Sequence, residues 1–177
     1  MIKRFVPDQY VPSIFEISIE ELKEKGIKGI ITDLDNTLVE WDRPDATEEL
    51  IEWFRKVKAE GIDIVVVSNN NEKRVKAFSD PHEITFIHSA KKPLTRAFKT
   101  ACNIMKIKRS EAVVVGDQLL TDIFGGNRGG FHTILVVPVA KTDGVFTRVN
   151  RRMERVVFRW MKRKGLIEWE NKKDSTR

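Results

Sequence analysis

Cysteine is nearly absent from this chain. Cys102 is the single one among 177 residues, so no internal disulfide can form, and its place in a helical pattern favours a buried structural thiol. No apolar run approaches the roughly 18 to 20 residues that a membrane span requires. Residues 1–8 also lack the apolar segment of a secretory signal. We therefore expect a cytoplasmic protein, neither secreted nor integral to the membrane.

Histidine is scarce as well, and its three copies are scattered along the chain. A metal site built from histidines is therefore not expected. His88 differs in position, because it comes shortly before the lysine at position 92, and it is a candidate substrate contact there.

Acidic residues are scarce in one part of the chain. The formal net charge is +6, but residues 145–177 hold 11 Lys/Arg against 4 Asp/Glu, or +7, which leaves residues 1–144 at −1. An acidic partner, whether a membrane surface, a nucleic acid or an anionic substrate, would therefore meet the C-terminal part.

Short runs rich in isoleucine and valine alternate with helical patterns. The runs, which are typical of buried parallel strands, occupy residues 29–32, 62–67, 84–87, 112–115 and 133–137. The helical patterns occupy residues 47–60, 72–78 and 94–105, and a short glycine-containing helix is predicted after Thr121. This alternation predicts an α/β fold, a Rossmann-like three-layer sandwich with a mostly parallel central sheet.

One domain is expected for residues 1–177. It divides into an N-terminal arm (1–26), a catalytic core (27–140), a basic C-terminal helix (145–164) and a tail (165–177).

Polar side chains follow four of the predicted strands. Because the carboxyl ends of parallel strands meet at one edge of a sheet, these residues are expected to lie together: Asp33, Asp35, Ser68, Asn69, Lys92 and Asp117.

Two closely spaced carboxylates favour phosphoryl transfer. A carboxylate such as Asp33 can attack phosphorus once the phosphoryl charge is neutralised and the geometry is fixed. Asp35 can then protonate the leaving oxygen and later deprotonate a water. Carboxylates repel a phosphate, so a cation is needed, and Mg²⁺ suits an all-oxygen site that Asp117 and Asp122 help to build.

Other residues are candidates for holding the phosphoryl group. Ser68 and the backbone amides near Asn36 and Asn69 can donate hydrogen bonds to its oxygens. Lys92 adds a positive charge that stabilises both Asp33 and the transferred group.

Together these motifs resemble the haloacid dehalogenase (HAD) superfamily. The resemblance spans about residues 27–137 and consists of four motifs in the family's order, Asp33-x-Asp35-Asn36-Thr37, Ser68, Lys92-Pro93 and Gly116-Asp117-Gln118-(x3)-Asp122. It implies a HAD-like fold, Mg²⁺ and an aspartyl-phosphate intermediate. It also implies metal ligation by Asp33, the backbone carbonyl of Asp35 and Asp117, with Asp122 either a ligand or its support.

A closer resemblance is visible in the run Thr121-Asp122-Ile123-Phe124-Gly125-Gly126-Asn127-Arg128. It is similar to the YqeG-type branch of HAD subfamily IIIA and to the mitochondrial phosphatidylglycerophosphate phosphatases. This resemblance implies a lipid phosphate as substrate, although Leu34 departs from the lysine of the eukaryotic relatives.

The spacing of the motifs leaves no room for a large cap domain. Only 35 residues separate Asp33 from Ser68, and 24 separate Ser68 from Lys92. Residues 40–44 can form at most a small flap, on which Trp41 is a candidate substrate contact. An open site suits a bulky substrate. Alternatively, a second copy of the chain closes the site.

The basic C-terminal segment has one apolar stripe at helical spacing, formed by Val149, Met153, Val156, Val157, Trp160 and Met161. We expect this stripe to pack on the protein's own sheet, and lying on anionic lipid is the alternative. Arg148 and Arg152 are candidate substrate contacts if they border the site.

The leading hypothesis is thus a Mg²⁺-dependent phosphomonoester hydrolase acting on phosphatidylglycerophosphate, at most peripherally attached to the inner face of the membrane. One alternative is a phosphatase for small soluble sugar or nucleotide phosphates. Another is a phosphatase-like module that binds RNA, the ribosome or a protein through its basic helix, although nucleic acid is the less favoured partner.

Overall fold

The central feature of the fold is a sheet of six parallel strands, seen in a computed structural model that describes residues 2–140 and 145–166. The strands are β1 (Gln9–Val11), β2 (Gly29–Thr32), β3 (Asp63–Val67), β4 (Thr85–Ile87), β5 (Ala112–Gly116) and β6 (His132–Val136). Their order across the sheet is β1-β6-β5-β2-β3-β4, so β2 and β5 lie side by side at its centre.

Helices cover both faces of this sheet. They are α1 (Ile19–Glu24), α2 (Glu48–Ala59), α3 (Glu72–Ser79), α4 (Arg96–Met105), α5 (Phe124–Gly129) and α6 (Val145–Arg163). Helix α2 begins where Thr47 accepts a hydrogen bond from the Leu50 amide, and Gly61, with φ of +75°, follows its end.

Alternate strand residues face opposite sides of the sheet and form two cores. Ile30, Val66 and Val113 pack against α1, α2 and α3 on one side. Ile31 and Val114 pack with α4 on the other, where Cys102 is a free, buried thiol. This arrangement confirms the predicted three-layer α/β sandwich and the predicted burial of Cys102.

The N-terminal segment contributes to the sheet, which the sequence did not indicate. Strand β1 pairs in parallel with β6, from Gln9 opposite Ile134 to Val11 opposite Val136. The Asp8 carboxylate also accepts hydrogen bonds from the amide and the hydroxyl of Thr133. Residues 1–26 therefore include an edge strand and helix α1.

Helix α6 packs on the body through a face that overlaps the predicted stripe only in part. Val157, Phe158 and Met161 contact a cluster that contains Leu119 and Ile123. The predicted stripe is correct for Val157 and Met161 and wrong for three other members, which are exposed: Met153, Val156 and Trp160. None of the described helices combines the length and apolarity needed to traverse a bilayer.

Candidate active site

The carboxyl ends of the central strands carry the acidic residues of the site. Asp33 directly follows β2, and Asp117 directly follows β5. Asp122 lies in the π-helical turn Leu119–Ile123 that comes next. Oxygens of all three carboxylates lie within 4.8 Å of one another, and all three residues are buried.

Lys92 is the cation inside this acidic cluster. Its Nζ lies 2.8 Å from Oδ1 of Asp33 and 2.7 Å from Oδ1 of Asp122. Burial alone would lower the pKa of Lys92, but the charges of Asp122 and Asp33 outweigh it and raise that pKa. The lysine therefore stays protonated and fixes the two carboxylates.

Asp122 is held in an environment that disfavours its charge. Burial raises the pKa of Asp122 from 3.8 to about 6, against the lowering effect of Lys92. Its Oδ2 accepts a hydrogen bond from the Gln118 amide at 3.2 Å. Gly116 makes room for it, because a Cβ at that position would collide with the Asp122 carboxylate.

Asp35 lies at the partly exposed rim of the cluster. Its Oδ1 lies 3.0 Å from a terminal nitrogen of Arg74, and its Oδ2 accepts a hydrogen bond from Asn70 at 2.9 Å. Burial raises the pKa of Asp35, and Asp33 adds to the rise, whereas the hydrogen bond from Asn70 and the charge of Arg74 lower it. Such a carboxyl is suited to proton transfer.

The turn after Asp35 has a conformation that asparagine tolerates well. Asn36 has φ of +65°, and its amide donates to the Val39 carbonyl at 2.7 Å. The turn therefore already uses the Asn36 amide itself, and donation by the neighbouring backbone amides to a phosphoryl oxygen stays a prediction. Next in sequence, the Thr37 hydroxyl donates to Oδ1 of Asp117 at 2.9 Å and orients that carboxylate.

The loops after β3 and β4 are joined by Asn69. Its Oδ1 accepts from the Lys92 amide at 2.7 Å, and its Nδ2 donates to the Lys92 carbonyl at 3.2 Å. The Asn69 side chain thus positions the lysine, and phosphate binding by the backbone amides near Asn69 stays a prediction. Ser68 is buried, and its hydroxyl oxygen accepts from the Asn70 amide at 3.1 Å.

Two of the candidate substrate contacts, Trp41 and His88, lie in loops that the structure describes. Trp41 is 40% exposed on the flap (residues 40–44), and its amide donates to Oδ1 of Asn36. His88 lies next to Ser89 and is 3.9 Å from Glu72. Arg148 and Arg152 belong to α6, but their side chains lie outside the part of the chain that the structure describes.

Four residues of the site received no role from the sequence. Thr37 and Gly116 belong to the motifs, and this position in a motif was the signal that could have indicated their roles. Asn70 and Arg74 were not signalled by any spacing, because they reach Asp35 through the fold and lie 35 and 39 residues away along the chain.

The donor set fits a hard divalent cation. Three carboxylates and one ammonium leave the buried cluster with an excess of two negative charges if all are ionised, and burial of uncompensated charge is unfavourable. All candidate ligand atoms are oxygens, and this acidic group contains no histidine or cysteine. These features suit Mg²⁺ better than Zn²⁺.

This parallel sheet carries Asp33 and Asp35 after one central strand, Asp117 after its neighbour and Lys92 after β4. The arrangement defines a phosphatase of the HAD superfamily. A family model described as mitochondrial PGP phosphatase matches residues 2–140. The chain therefore belongs to the mitochondrial PGP phosphatase family, and it is a hydrolase of phosphate monoesters.

Individual relatives agree with this membership. Over 171 residues the chain is 59% identical to "Probable phosphatase YqeG" of Bacillus subtilis, covering 96% of this chain and 99% of that protein. It is 34% identical to phosphatidylglycerophosphate phosphatase 1 of Arabidopsis thaliana, covering 93% of this chain and 50% of the plant protein.

Solved structures support the fold. An uncharacterized protein from Listeria monocytogenes superposes with a TM-score of 0.51 at 21% identity, over 67% of this chain and 86% of that one.

Proposed function

We propose that this protein is a Mg²⁺-dependent phosphomonoester hydrolase that forms an aspartyl phosphate on Asp33. The observation that carries the proposal is the buried acidic cluster of Asp33, Asp117 and Asp122, with Lys92 bridging two of its members. Such a cluster serves no evident packing purpose, because burying carboxylates costs free energy unless a cation or ligand compensates.

Asp33 is suited to act as the nucleophile. Its Oδ1 accepts from the Leu34 amide at 2.8 Å and pairs with Lys92, so we assign the attack to Oδ2. That oxygen forms a bond to phosphorus while the bond from phosphorus to the leaving alcohol breaks.

Asp35 completes the proton balance. In the first step its carboxyl gives a proton to the leaving alcohol oxygen. In the second step it takes a proton from a water that attacks the aspartyl phosphate, which releases inorganic phosphate and restores Asp33. Arg74 and Asn70 orient Asp35 for both transfers.

Asp33, Asp117 and the Asp35 carbonyl would hold Mg²⁺, with Asp122 as a further ligand or as support. When bound, this ion neutralises phosphoryl charge. Lys92 neutralises the same group from the protein side, and Ser68 is a candidate donor to its oxygens.

Phosphatidylglycerophosphate is the substrate that we propose first. The family description and the name of the plant relative support it. The absence of an inserted cap between β2 and β4 leaves the site open to a lipid. Helix α6 could bring the protein to an anionic membrane, because Met153, Val156 and Trp160 are exposed on a helix rich in arginine and lysine.

The mechanism is tested by replacing the nucleophile. Asp33→Asn keeps the size of the side chain and should abolish phosphate release, while circular dichroism should show an unchanged fold. The wild-type protein, quenched in acid during turnover of a ³²P-labelled ester, should carry hydroxylamine-sensitive label on Asp33. Full activity of Asp33→Asn, or label on another residue, would refute the covalent route.

The substrate is tested by a phosphate-release screen with Mg²⁺. Phosphatidylglycerophosphate in mixed micelles should give a higher kcat/KM than soluble sugar and nucleotide phosphates. The reverse order would favour the soluble-substrate alternative. RNA or vesicle binding that disappears when residues 145–177 are removed would assign a docking role to α6.

A further inference from the structure

A largely apolar groove lies beside the catalytic edge and is not explained by the proposed chemistry. Its volume is about 360 Å³, within the range of small-molecule pockets. The apolar lining includes Ile14, Phe15, Leu38, Val39, Val137 and Val139. These residues come from the segments after β1, β2 and β6, so the groove opens at the same edge of the sheet as Asp33.

The groove shares its wall with the catalytic cluster. Thr37 lines the groove, and its hydroxyl donates to Oδ1 of the proposed metal ligand Asp117. Val139 also lines the groove, and its amide donates at 2.8 Å to the carbonyl of Asn36, in the turn that follows Asp35. A molecule in the groove is therefore only one residue layer away from the acidic cluster.

The polar atoms of the groove offer little to a polar ligand. The hydroxyls of Ser13, Thr37 and Thr47 each already make a hydrogen bond within the protein. The charged residues of the lining are Glu40, Glu49 and Arg43, a surplus of one negative charge that disfavours an anionic group inside the groove.

Two large apolar side chains of the groove, by contrast, are exposed to solvent. Phe15 is 38% exposed and Val139 is 50% exposed, and both belong to the lining. Large exposed hydrophobic residues around a concave site commonly mark the position of an apolar ligand.

We propose that this groove binds an acyl chain of the phosphomonoester substrate while the phosphoryl group lies at Asp33. The proposal rests on the proposed function and adds a specificity site to it. Each methylene buried contributes about 0.8 kcal/mol, which corresponds to about a fourfold gain in affinity. Affinity should therefore rise with chain length until the groove is full and then level off.

The test uses a series of straight-chain alkyl phosphates from butyl to decyl, each kept below its micelle-forming concentration. Calorimetry with the Asp33→Asn protein and Mg²⁺ gives Kd without turnover, and phosphate release by the wild-type protein gives kcat/KM. We expect Kd to fall at least tenfold between the butyl and octyl esters. A Kd that does not depend on chain length would overturn the groove proposal.

Two variants connect the effect to the groove. Val139→Trp fills it, and Phe15→Asp makes its lining polar; each should remove most of the chain-length dependence and leave butyl phosphate hydrolysis within about twofold of wild type. The matched control is Ile104→Asp, because Ile104 is 45% exposed on α4 and does not line the groove. Retention of the full chain-length dependence in both groove variants would also overturn the proposal.

The proposed hydrolysis and the proposed acyl-chain groove are refuted by different results. Chain-length-dependent binding without any phosphate release would refute the proposed hydrolysis and support the groove. Hydrolysis of every ester at one rate, with one Kd, would support the phosphatase and refute the groove.

Discussion

Gly116→Ala tests whether the acidic cluster requires the space that a missing side chain leaves at position 116. A Cβ at position 116 would collide with Cβ, Cγ and Oδ2 of Asp122. Asp122 has little freedom to give way, since Lys92 lies 2.7 Å from Oδ1 and the Gln118 amide donates to Oδ2. The strain must therefore move Asp122 or the end of β5, which leads directly into Asp117.

Both responses have a calculable cost. Overpacking of a closed site costs about 1–3 kcal/mol, and loss of one partner from a buried ion pair costs about 3–5 kcal/mol. We expect Gly116→Ala to lower the free energy of unfolding by about 3 kcal/mol. A displacement of 1 Å at a catalytic group costs about 10²-fold in rate, so kcat should fall by about that factor.

Urea unfolding and Mg²⁺-dependent phosphate release measure these two effects. The matched control is Gly61→Ala, since Gly61 also sits at the end of a secondary-structure element but no atom lies within 4 Å of the added Cβ. Its φ of +75° makes alanine cost about 1–2 kcal/mol of stability, with activity unchanged. A Gly116→Ala protein with wild-type kcat and less than about 1 kcal/mol of destabilisation would refute the argument.

Three further predictions concern charge. Arg74→Ala removes a cation that lowers the pKa of Asp35, so the limb of the pH–kcat/KM profile that Asp35 controls should shift to higher pH. Arg74→Lys should shift this limb less. A limb that does not move would count against Asp35 as the proton carrier. Lys92→Met leaves two buried carboxylates without their cation, so the Mg²⁺-free protein should lose about 3–5 kcal/mol in urea unfolding, with part of the loss recovered in Mg²⁺. Asp122 has a pKa raised from 3.8 to about 6 by burial, so its contribution to stability is present below about pH 3.8 and disappears as the pH rises through about 6. The thermal shift produced by Mg²⁺ should therefore grow between pH 5 and pH 7, and Asp122→Asn should flatten that growth; a shift independent of pH in the wild-type protein would contradict it.

The central strands were predictable because they are buried on both faces. A parallel strand covered by helices on each side must be apolar throughout, so runs such as residues 112–115 indicate it without any knowledge of its neighbours. The same logic placed Asp33 and Asp117 at one edge, because every parallel strand in the sheet ends there.

Strand β1 and the pairing of Asp35 with Arg74 were not predictable, because both depend on contacts between distant parts of the chain. Strand β1 has only three residues, each half-buried, and it is held by contacts to Thr133, 125 residues from Asp8. Arg74 likewise meets Asp35 only in the folded protein, where α3 packs against the sheet. Interactions of this kind depend on the folded arrangement, and no local pattern in the sequence contains them.

The flap connects the acid with the groove. Arg74 holds Asp35 and also donates to the carbonyl of Pro44 at the end of the flap, 3.3 Å away. Glu40 and Arg43 of the same flap line the groove. The flap therefore contacts both Arg74, which orients the general acid, and the groove proposed for the acyl chain.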